Sequence, residues 1–74
     1  MDVDVTLYPP LRYNRFSRAS VSLEQPATID TLLDHLAIKQ HEVGSVYVNG
    51  VYGIFSQPLA PGDRVTLLPL IGGG

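Results

Sequence analysis

The sequence predicts an α+β domain in which one main helix packs on one face of a single mixed sheet of four to five strands. Only one stretch, residues 29–38, spaces its apolar residues as a helix does, and the stretches around it read as short strands. With 74 residues the chain holds one domain, and one helix covers only one face of a sheet. A right-handed crossover through that helix makes the first and last strands parallel neighbours at the sheet centre.

The first two strands are predicted at residues 2–8 and 19–24, because both stretches alternate apolar and polar side chains. Pro9-Pro10 ends the first strand, since proline has no N–H to donate to a sheet ladder. Residues 11–17 are then a long loop, and the two strands are expected to form a hairpin across it.

The helix is expected to begin after Thr28, whose hydroxyl can accept a hydrogen bond from a backbone N–H of the first turn. Asp30 lies in that turn, where the positive end of the helix dipole favours a carboxylate. A single apolar stripe follows at helical spacing, made of Ile29, Leu32, Leu33 and Leu36. We expect the helix to fray through residues 39–42 and Gly44 to stop any continuation.

A second hairpin is predicted around Asn49-Gly50, because both residues tolerate the positive φ of a type I′ turn. A two-residue turn pairs Tyr47 with Tyr52 on one face of the sheet. It also pairs Val48 with Val51. The strands of this hairpin are predicted at residues 45–48 and 51–55.

The last strand is predicted at residues 64–68, after a tight Pro61-Gly62-Asp63 turn in which Asp63 is expected to stabilise the backbone. Val65 and Leu67 then face the core, and Pro69 ends the strand.

The composition narrows the function class. Hydrophobic residues make up 45% and charged residues 16%, and the net charge of -2 argues against a nucleic-acid or anionic-membrane partner. With no cysteine, disulfides, thiolate metal sites and cysteine nucleophiles are excluded. The N-terminal stretch is not a signal peptide and no apolar run is long enough to span a membrane, so we expect a cytoplasmic protein.

Residues 70–74 are expected to form a flexible tail beyond a domain of residues 1–69. Gly72, Gly73 and Gly74 have no side chains to pack and the most conformational entropy to lose. At ~3.3–3.6 Å per extended residue the tail would reach roughly 17 Å, and the carboxylate of Gly74 is its one distinctive group. Insertion into another protein's active site fits these properties, and so does an ordinary frayed terminus.

Four stretches, taken in order, resemble the MoaD/ThiS family of sulfur-carrier proteins, which have the ubiquitin-like β-grasp fold. Residues 26–33 resemble the entry into the family's single helix, and residues 46–50 resemble its VxVNG hairpin. Residues 58–65 resemble its L-x-x-GD-x-V turn and strand, and residues 68–74 resemble its F-P-P-V-x-G-G ending. No single motif is specific, but their order and spacing over nearly the whole chain are.

The resemblance implies a carrier with no catalytic residue of its own and no bound cofactor or metal. In the family, an E1-like adenylating enzyme of the MoeB/ThiF type uses ATP to activate the terminal carboxylate, here that of Gly74. A sulfur donor then produces a thiocarboxylate, and an enzyme such as the molybdopterin-synthase large subunit or thiazole synthase accepts the sulfur. Aligned without a gap, Gly72 fills the variable position and Gly73-Gly74 is the functional pair.

The ending also bears on which family member the chain resembles. Pro69 and the apolar run of residues 68–71 resemble the small subunit of molybdopterin synthase more than the thiamine carrier. Leu70 stands where that subunit has a second proline, and the chain is short for that subunit. Molybdopterin synthesis, for molybdenum or tungsten, is therefore expected. A thiamine-type carrier, a carrier for cysteine synthesis and a ubiquitin-like protein modifier are the alternatives.

A partner-binding surface is predicted on the face of the sheet that the helix leaves open. Alternation places two tyrosines and a leucine there, near the root of the tail, and exposed apolar patches often mark partner sites. Covering by Arg and Lys stems, or isolated surface aromatics, would explain the same pattern. The predicted partner-binding residues are Tyr47, Tyr52, Leu68, Pro69, Leu70 and Ile71.

Other candidate sites are weaker. His35 and His41 are six residues apart, which does not place two ligands on one helical face, so surface positions are expected. Arg12, Arg15 and Arg18 either lie in a solvated loop or contact phosphate or an acidic partner. No acid–base pair can be assigned among the carboxylates.

Overall fold

The computed structural model describes residues 1–70, which form one five-stranded mixed sheet with one α-helix. A short 3-10 turn, Gln40–Glu42, precedes the third strand. The strand order is β2-β1-β5-β3-β4. The elements are β1 (Asp2–Leu7), β2 (Arg18–Ser22), α1 (Ile29–Leu36), β3 (Val43–Val48), β4 (Val51–Tyr52) and β5 (Arg64–Pro69).

The first and last strands are parallel neighbours, as the right-handed crossover predicts. β1 pairs with β5 in a register that sets Val5 opposite Val65 and Leu7 opposite Leu67. β5 also pairs antiparallel with β3, so the last strand is hydrogen-bonded along both edges. The strand that leads into the C-terminal segment is therefore at the centre of the sheet.

The core lies between this sheet and α1. Alternate residues of the strands point toward the helix, and those of β1 and β5 are the most deeply buried because both strands are central. Fully buried side chains of this kind each contribute about 1.5–3 kcal/mol of transfer free energy. They include Val3, Val5, Leu7, Leu11, Ile29, Leu32, Leu33, Val65 and Leu67.

The N-terminus of α1 is capped as expected by Thr28. Thr31 N–H donates to Thr28 Oγ1 (3.3 Å), and Thr28 N–H donates in return to Thr31 Oγ1 (3.1 Å). This reciprocal capping box satisfies two backbone donors at the entry to the helix.

The C-terminus of α1 differs from the expectation of residues 29–38. The helix ends at Leu36, because Ala37 adopts the left-handed conformation with φ 56° and its N–H donates to Asp34 O (3.1 Å). Ile38 turns back into the core and is buried. Arg15 completes this end by donating to the carbonyls of Leu36 and Ala37 (3.1 and 3.0 Å).

Arg15 therefore has a structural role that its sequence position did not indicate. Its guanidinium also donates to Leu11 O (2.8 Å), so one side chain ties the loop between β1 and β2 to the end of α1. The expectation that it is simply solvated in a loop is wrong. A guanidinium has five N–H donors, which suits this bridging of several carbonyls.

Gly44 does not stop a helix, and this expectation was also wrong. It lies inside β3, at a register shift between Val43 and Ser45 opposite the end of β5. A Cβ at this position would lie 2.5 Å from Pro69 O and 3.0 Å from Leu70 Cα. Glycine is required because backbone, not side chain, fills the space a Cβ would need.

β4 is shorter than the predicted residues 51–55, since only Val51–Tyr52 pair with β3. The chain then leaves the sheet and passes beneath the helix N-terminus. Asp30 N–H donates to Phe55 O (2.9 Å), and Ile29 N–H donates to Gln57 O (3.1 Å). These bonds satisfy first-turn donors of α1, which explains why the strand ends early.

The hairpin turn is confirmed at Asn49-Gly50, where φ is 53° and 81°. The predicted pairs, Tyr47 with Tyr52 and Val48 with Val51, are both present. Asp63 stabilises its turn as expected: it accepts from Ala60 N–H (2.8 Å) and from the Asn49 side-chain amide (2.9 Å).

Candidate functional site

The open face of the sheet carries a row of side chains that crosses all five strands. In each pairing, residues directly opposite one another lie on the same face of the sheet, so the register fixes which side chains form this row. Two aromatic side chains lie at one end and a charged side chain lies at the other. From β4 to β2 the row is Tyr52, Tyr47, Thr66, Thr6 and Arg18.

Tyr47 and Tyr52 form an aromatic pair at one end of this row. Their ring centroids are 5.7 Å apart and their planes are 77° apart, an edge-to-face arrangement that aromatic rings favour. Tyr47 is half-buried, whereas Tyr52 is 65% exposed. The pair therefore presents an aromatic surface in which one ring packs against the other.

Leu68 extends this surface along β5. It is half-buried and lies opposite Ser45 of β3, two residues beyond Thr66, which is opposite Tyr47. Leu68 and Tyr47 are thus diagonal neighbours, at about 7–8 Å. We refer to Tyr47, Tyr52 and Leu68 as the apolar patch. Tyr47 and Leu68 are less exposed than expected, and Tyr52 is the outermost member.

The end of β5 fixes where the C-terminal segment leaves the domain. Pro69 is half-buried and pairs with Val43, so β5 extends one residue beyond the predicted stop. Leu70 is 61% exposed, and its N–H donates to Glu42 O (2.9 Å). Ile71 and the predicted glycines Gly72, Gly73 and Gly74 lie outside the described residues.

The other half of the open face is charged. Arg18 pairs with Asp4 through its Nη2 (2.6 Å to Oδ2), and its Nε is 3.2 Å from both carboxylate oxygens. The hydrogen bond from Arg18 lowers the pKa of Asp4, and the positive charges of Arg18 and Arg64 act in the same direction. Asp4 is therefore ionised at neutral pH.

Sequence reasoning missed this charged half. The register between β1 and β5 places Thr6, Arg64 and Thr66 on the same face as Asp4. Asp4 lies opposite Arg64, and Thr6 lies opposite Thr66. The parallel pairing of β1 and β5 was predicted, but its register was not, because no local pattern in the sequence fixes it. Arg12, by contrast, is simply exposed in the loop.

The remaining candidates stay apart. His35 and His41 are both exposed. Within residues 1–70, no three His, Cys, Asp or Glu side chains come together as metal ligands. In that same part of the chain no helix has the length and apolarity to cross a membrane.

Strand order and helix placement define the class of protein: a ubiquitin-like β-grasp domain. SAMP1 from Haloferax volcanii has the same fold, with a TM-score of 0.75 and 22% identity over 100% of both chains. So does the putative molybdopterin converting factor subunit 1 of Pyrococcus furiosus, with a TM-score of 0.78 and 20% identity over 96% of this chain and 99% of that one. A complex of subunits 1 and 2 of molybdopterin-converting factor from Helicobacter pylori 26695 contains a chain that matches with a TM-score of 0.67 and 22% identity over 100% of both.

The family follows from the sequence itself. The ThiS family model matches residues 11–74, and the chain belongs to that family. Its members are small ubiquitin-fold carrier or modifier proteins and are not themselves catalysts. A search of curated proteins found no match.

Proposed function

We propose that the protein is a sulfur carrier whose Gly74 carboxylate is adenylated by an E1-like enzyme and converted to a thiocarboxylate. The observation that carries the proposal is the family match, which extends through the glycines to residue 74. ATP is bound and used by the adenylating enzyme, so the carrier needs no cofactor or catalytic residue of its own. Such chemistry belongs in the cytoplasm, where the partner enzymes and ATP are found.

The placement of β5 supports this proposal. Leu70 is exposed, yet its N–H is bonded to Glu42 O, so the chain leaves the domain from a fixed point. Four residues follow Leu70. At ~3.3–3.6 Å per extended residue they span about 14 Å, enough to enter a buried active site.

For this chemistry the carrier needs only to place its Gly74 carboxylate in the active site of the enzyme. In the adenylation step a carboxylate oxygen of Gly74 bonds to the α-phosphorus of ATP and pyrophosphate leaves. A sulfide-level donor then attacks the acyl carbon, and AMP leaves with the bonding electron pair. Gly73 and Gly74 have no Cβ, so neither the channel nor the acyl carbon is obstructed.

The apolar patch is the proposed docking surface for the adenylating enzyme. It lies on the open face and includes Leu68 of β5, the strand that leads to the tail. One enzyme can therefore contact the patch and bind the tail at the same time. Exposed aromatic residues are common anchors at protein interfaces. The same surface and the predicted residues Pro69, Leu70 and Ile71 would guide the tail into the active site.

Intact-mass measurement tests the central claim. After incubation with the E1-like enzyme, ATP and a sulfur donor, the protein should gain the mass difference between one sulfur and one oxygen. A variant that lacks Gly74 should gain nothing, because its terminal carboxylate is one residue short of the reaction centre. An equal gain in the shortened protein would overturn the proposal.

We propose molybdopterin synthesis, for molybdenum or tungsten, as the destination of the sulfur. Two structures with this fold carry molybdopterin-converting-factor names, and one of them is a complex of subunits 1 and 2, which supports a large-subunit partner. The thiocarboxylated protein should return to its original mass with a molybdopterin-synthase large subunit and the substrate that accepts the sulfur there, and not with thiazole synthase and its own substrate. The reverse result would assign it to thiamine synthesis, and loss of sulfur to neither would favour the cysteine-synthesis alternative.

A protein-modifier function is the second candidate, because one structure with this fold is named small archaeal modifier protein 1. A modifier would appear in the same mass experiment as higher-mass conjugates joined through Gly74 to lysine side chains. A thiocarboxylate without conjugates supports the carrier.

A further inference from the structure

We propose that Arg64 and Arg18 form a recognition site for an acidic side chain of the protein partner that docks on the open face. The inference rests on the proposed function, because it assumes that an adenylating enzyme uses this face. It adds the chemistry of the partner surface, a carboxylate, and the place where that carboxylate binds.

This part of the face carries more positive than negative side chains: two arginines and one aspartate. Arg18 is bonded bidentately to Asp4, which satisfies one positive charge. Arg64 lies opposite Asp4 on the neighbouring strand and is exposed. Within residues 1–70 the Arg64 side chain has neither a hydrogen bond nor an ion pair. Two guanidinium groups thus lie near one carboxylate that only Arg18 binds, and the charge of Arg64 is left for a second carboxylate.

The two arginines border a shallow groove of about 310 Å³. Thr6 and Thr66, opposite each other on β1 and β5, also line it, together with Asp4, Gly50 and Val65. The threonine hydroxyls add hydrogen-bond donors beside the guanidinium of Arg64. The groove is partly open to solvent, which suits a side chain presented by a docked protein better than a free small anion.

The groove is continuous with the apolar patch, since Thr66 lies directly opposite Tyr47. Arg64 and Leu68 are four residues apart on the same face of β5, or about 13 Å. A matching partner would therefore present an apolar contact and a carboxylate about 13 Å apart. Because the chain has a net charge of -2, a broadly acidic partner would be repelled, and a single well-placed carboxylate would set orientation instead.

Charge reversal at Arg64 tests the inference. We expect Arg64→Glu to weaken binding to the E1-like adenylating enzyme at least about tenfold, measured by calorimetric titration, because it places like charges together. Lys39→Glu is the matched control: it makes the same change in net charge at an exposed residue in the segment after α1, outside the sheet. Its affinity should stay within about twofold of the parent protein, and the Arg64→Glu effect should shrink at high salt.

Arg64→Gln separates charge from folding, since it removes the charge without reversing it, and should give a smaller loss. Equal affinity for the parent protein and both Arg64 variants, with Leu68→Asp still weakening binding, would overturn this inference alone. Equal losses in Arg64→Glu and Lys39→Glu would also overturn it, since net charge would then explain the effect. If the parent protein neither binds the enzyme nor is adenylated, the proposed function fails and this inference fails with it.

Discussion

Gly44 controls how closely β3 approaches the end of β5. The register shift at this residue brings its Cα against the backbone of Pro69 and Leu70. A substitution there acts directly on the point from which the tail departs, although Gly44 is far from the tail in sequence.

Gly44→Ala is expected to destabilise the domain by about 1–3 kcal/mol, the usual cost of forcing extra volume into a packed site. The new Cβ would meet backbone atoms of Pro69 and Leu70, which cannot move without disturbing the β3–β5 ladder. Chemical denaturation measures the change. Gly53→Ala is the control, because its Cβ would meet the flexible end of the Gln57 side chain instead. Similar losses in both variants would contradict this explanation.

At this scale the sequence was informative only where a residue acts on its neighbours in the chain. Thr28 and Asp63 were assigned correctly because a cap and a turn depend on bonds three residues away. Gly44 and Arg15 were not assigned correctly. The role of Gly44 depends on Pro69 and that of Arg15 depends on Leu36, each more than 20 residues away.

The helix α1 is held at both ends by groups outside it. With eight residues it is too short to be stable alone, so capping and packing must supply its stability. The capping box at Thr28 and the carbonyls of Phe55 and Gln57 serve one end, and Arg15 serves the other.

Thr28→Ala should destabilise the protein by roughly 1 kcal/mol, the typical value for loss of an N-cap hydroxyl. The Thr31 N–H would lose its acceptor, and the return bond from Thr28 N–H would lose its fixed geometry. Thermal unfolding followed by circular dichroism measures this. Thr28→Ser keeps the oxygen and should remain close to the parent protein; an equal loss in Thr28→Ser would show that the methyl group, not the cap, matters.

Among the elements, the Asn49-Gly50 hairpin was predictable down to its register, because the turn chemistry is contained in two residues. The short length of β4 could not be predicted from the sequence. It depends on the need of α1 for acceptors at its N-terminus, which the chain after Tyr52 supplies by leaving the sheet.

At the scale of the whole molecule, the helix covers one face of the sheet and leaves the other face open. That face has an apolar half near Leu68 and a charged half near Arg64, both carried by the central strand. The crossover rule predicted the central pair of strands, and alternation then located the apolar half. The charged half required the register between two strands almost 60 residues apart, which no local pattern contains.

Leu68→Asp should weaken docking to the adenylating enzyme at least about tenfold while the domain stays folded, because Leu68 lies on the open face and not in the core. A binding titration measures the affinity, and thermal unfolding checks the fold. Val51→Asp is a suitable control: Val51 is 68% exposed but pairs with Val48, on the opposite side of the hairpin from the tyrosines. Unchanged affinity for Leu68→Asp would remove the apolar patch from the proposed interface.

The position of β5 also has a mechanical consequence. A pull on Leu70 is directed along β5, which is bonded to β1 on one side and to β3 on the other. Those hydrogen bonds lie across the direction of pull, so they resist together in shear, whereas an edge strand would peel away one bond at a time. A partner that binds and pulls the C-terminal segment therefore loads both pairings of β5 at once, and the domain resists unfolding.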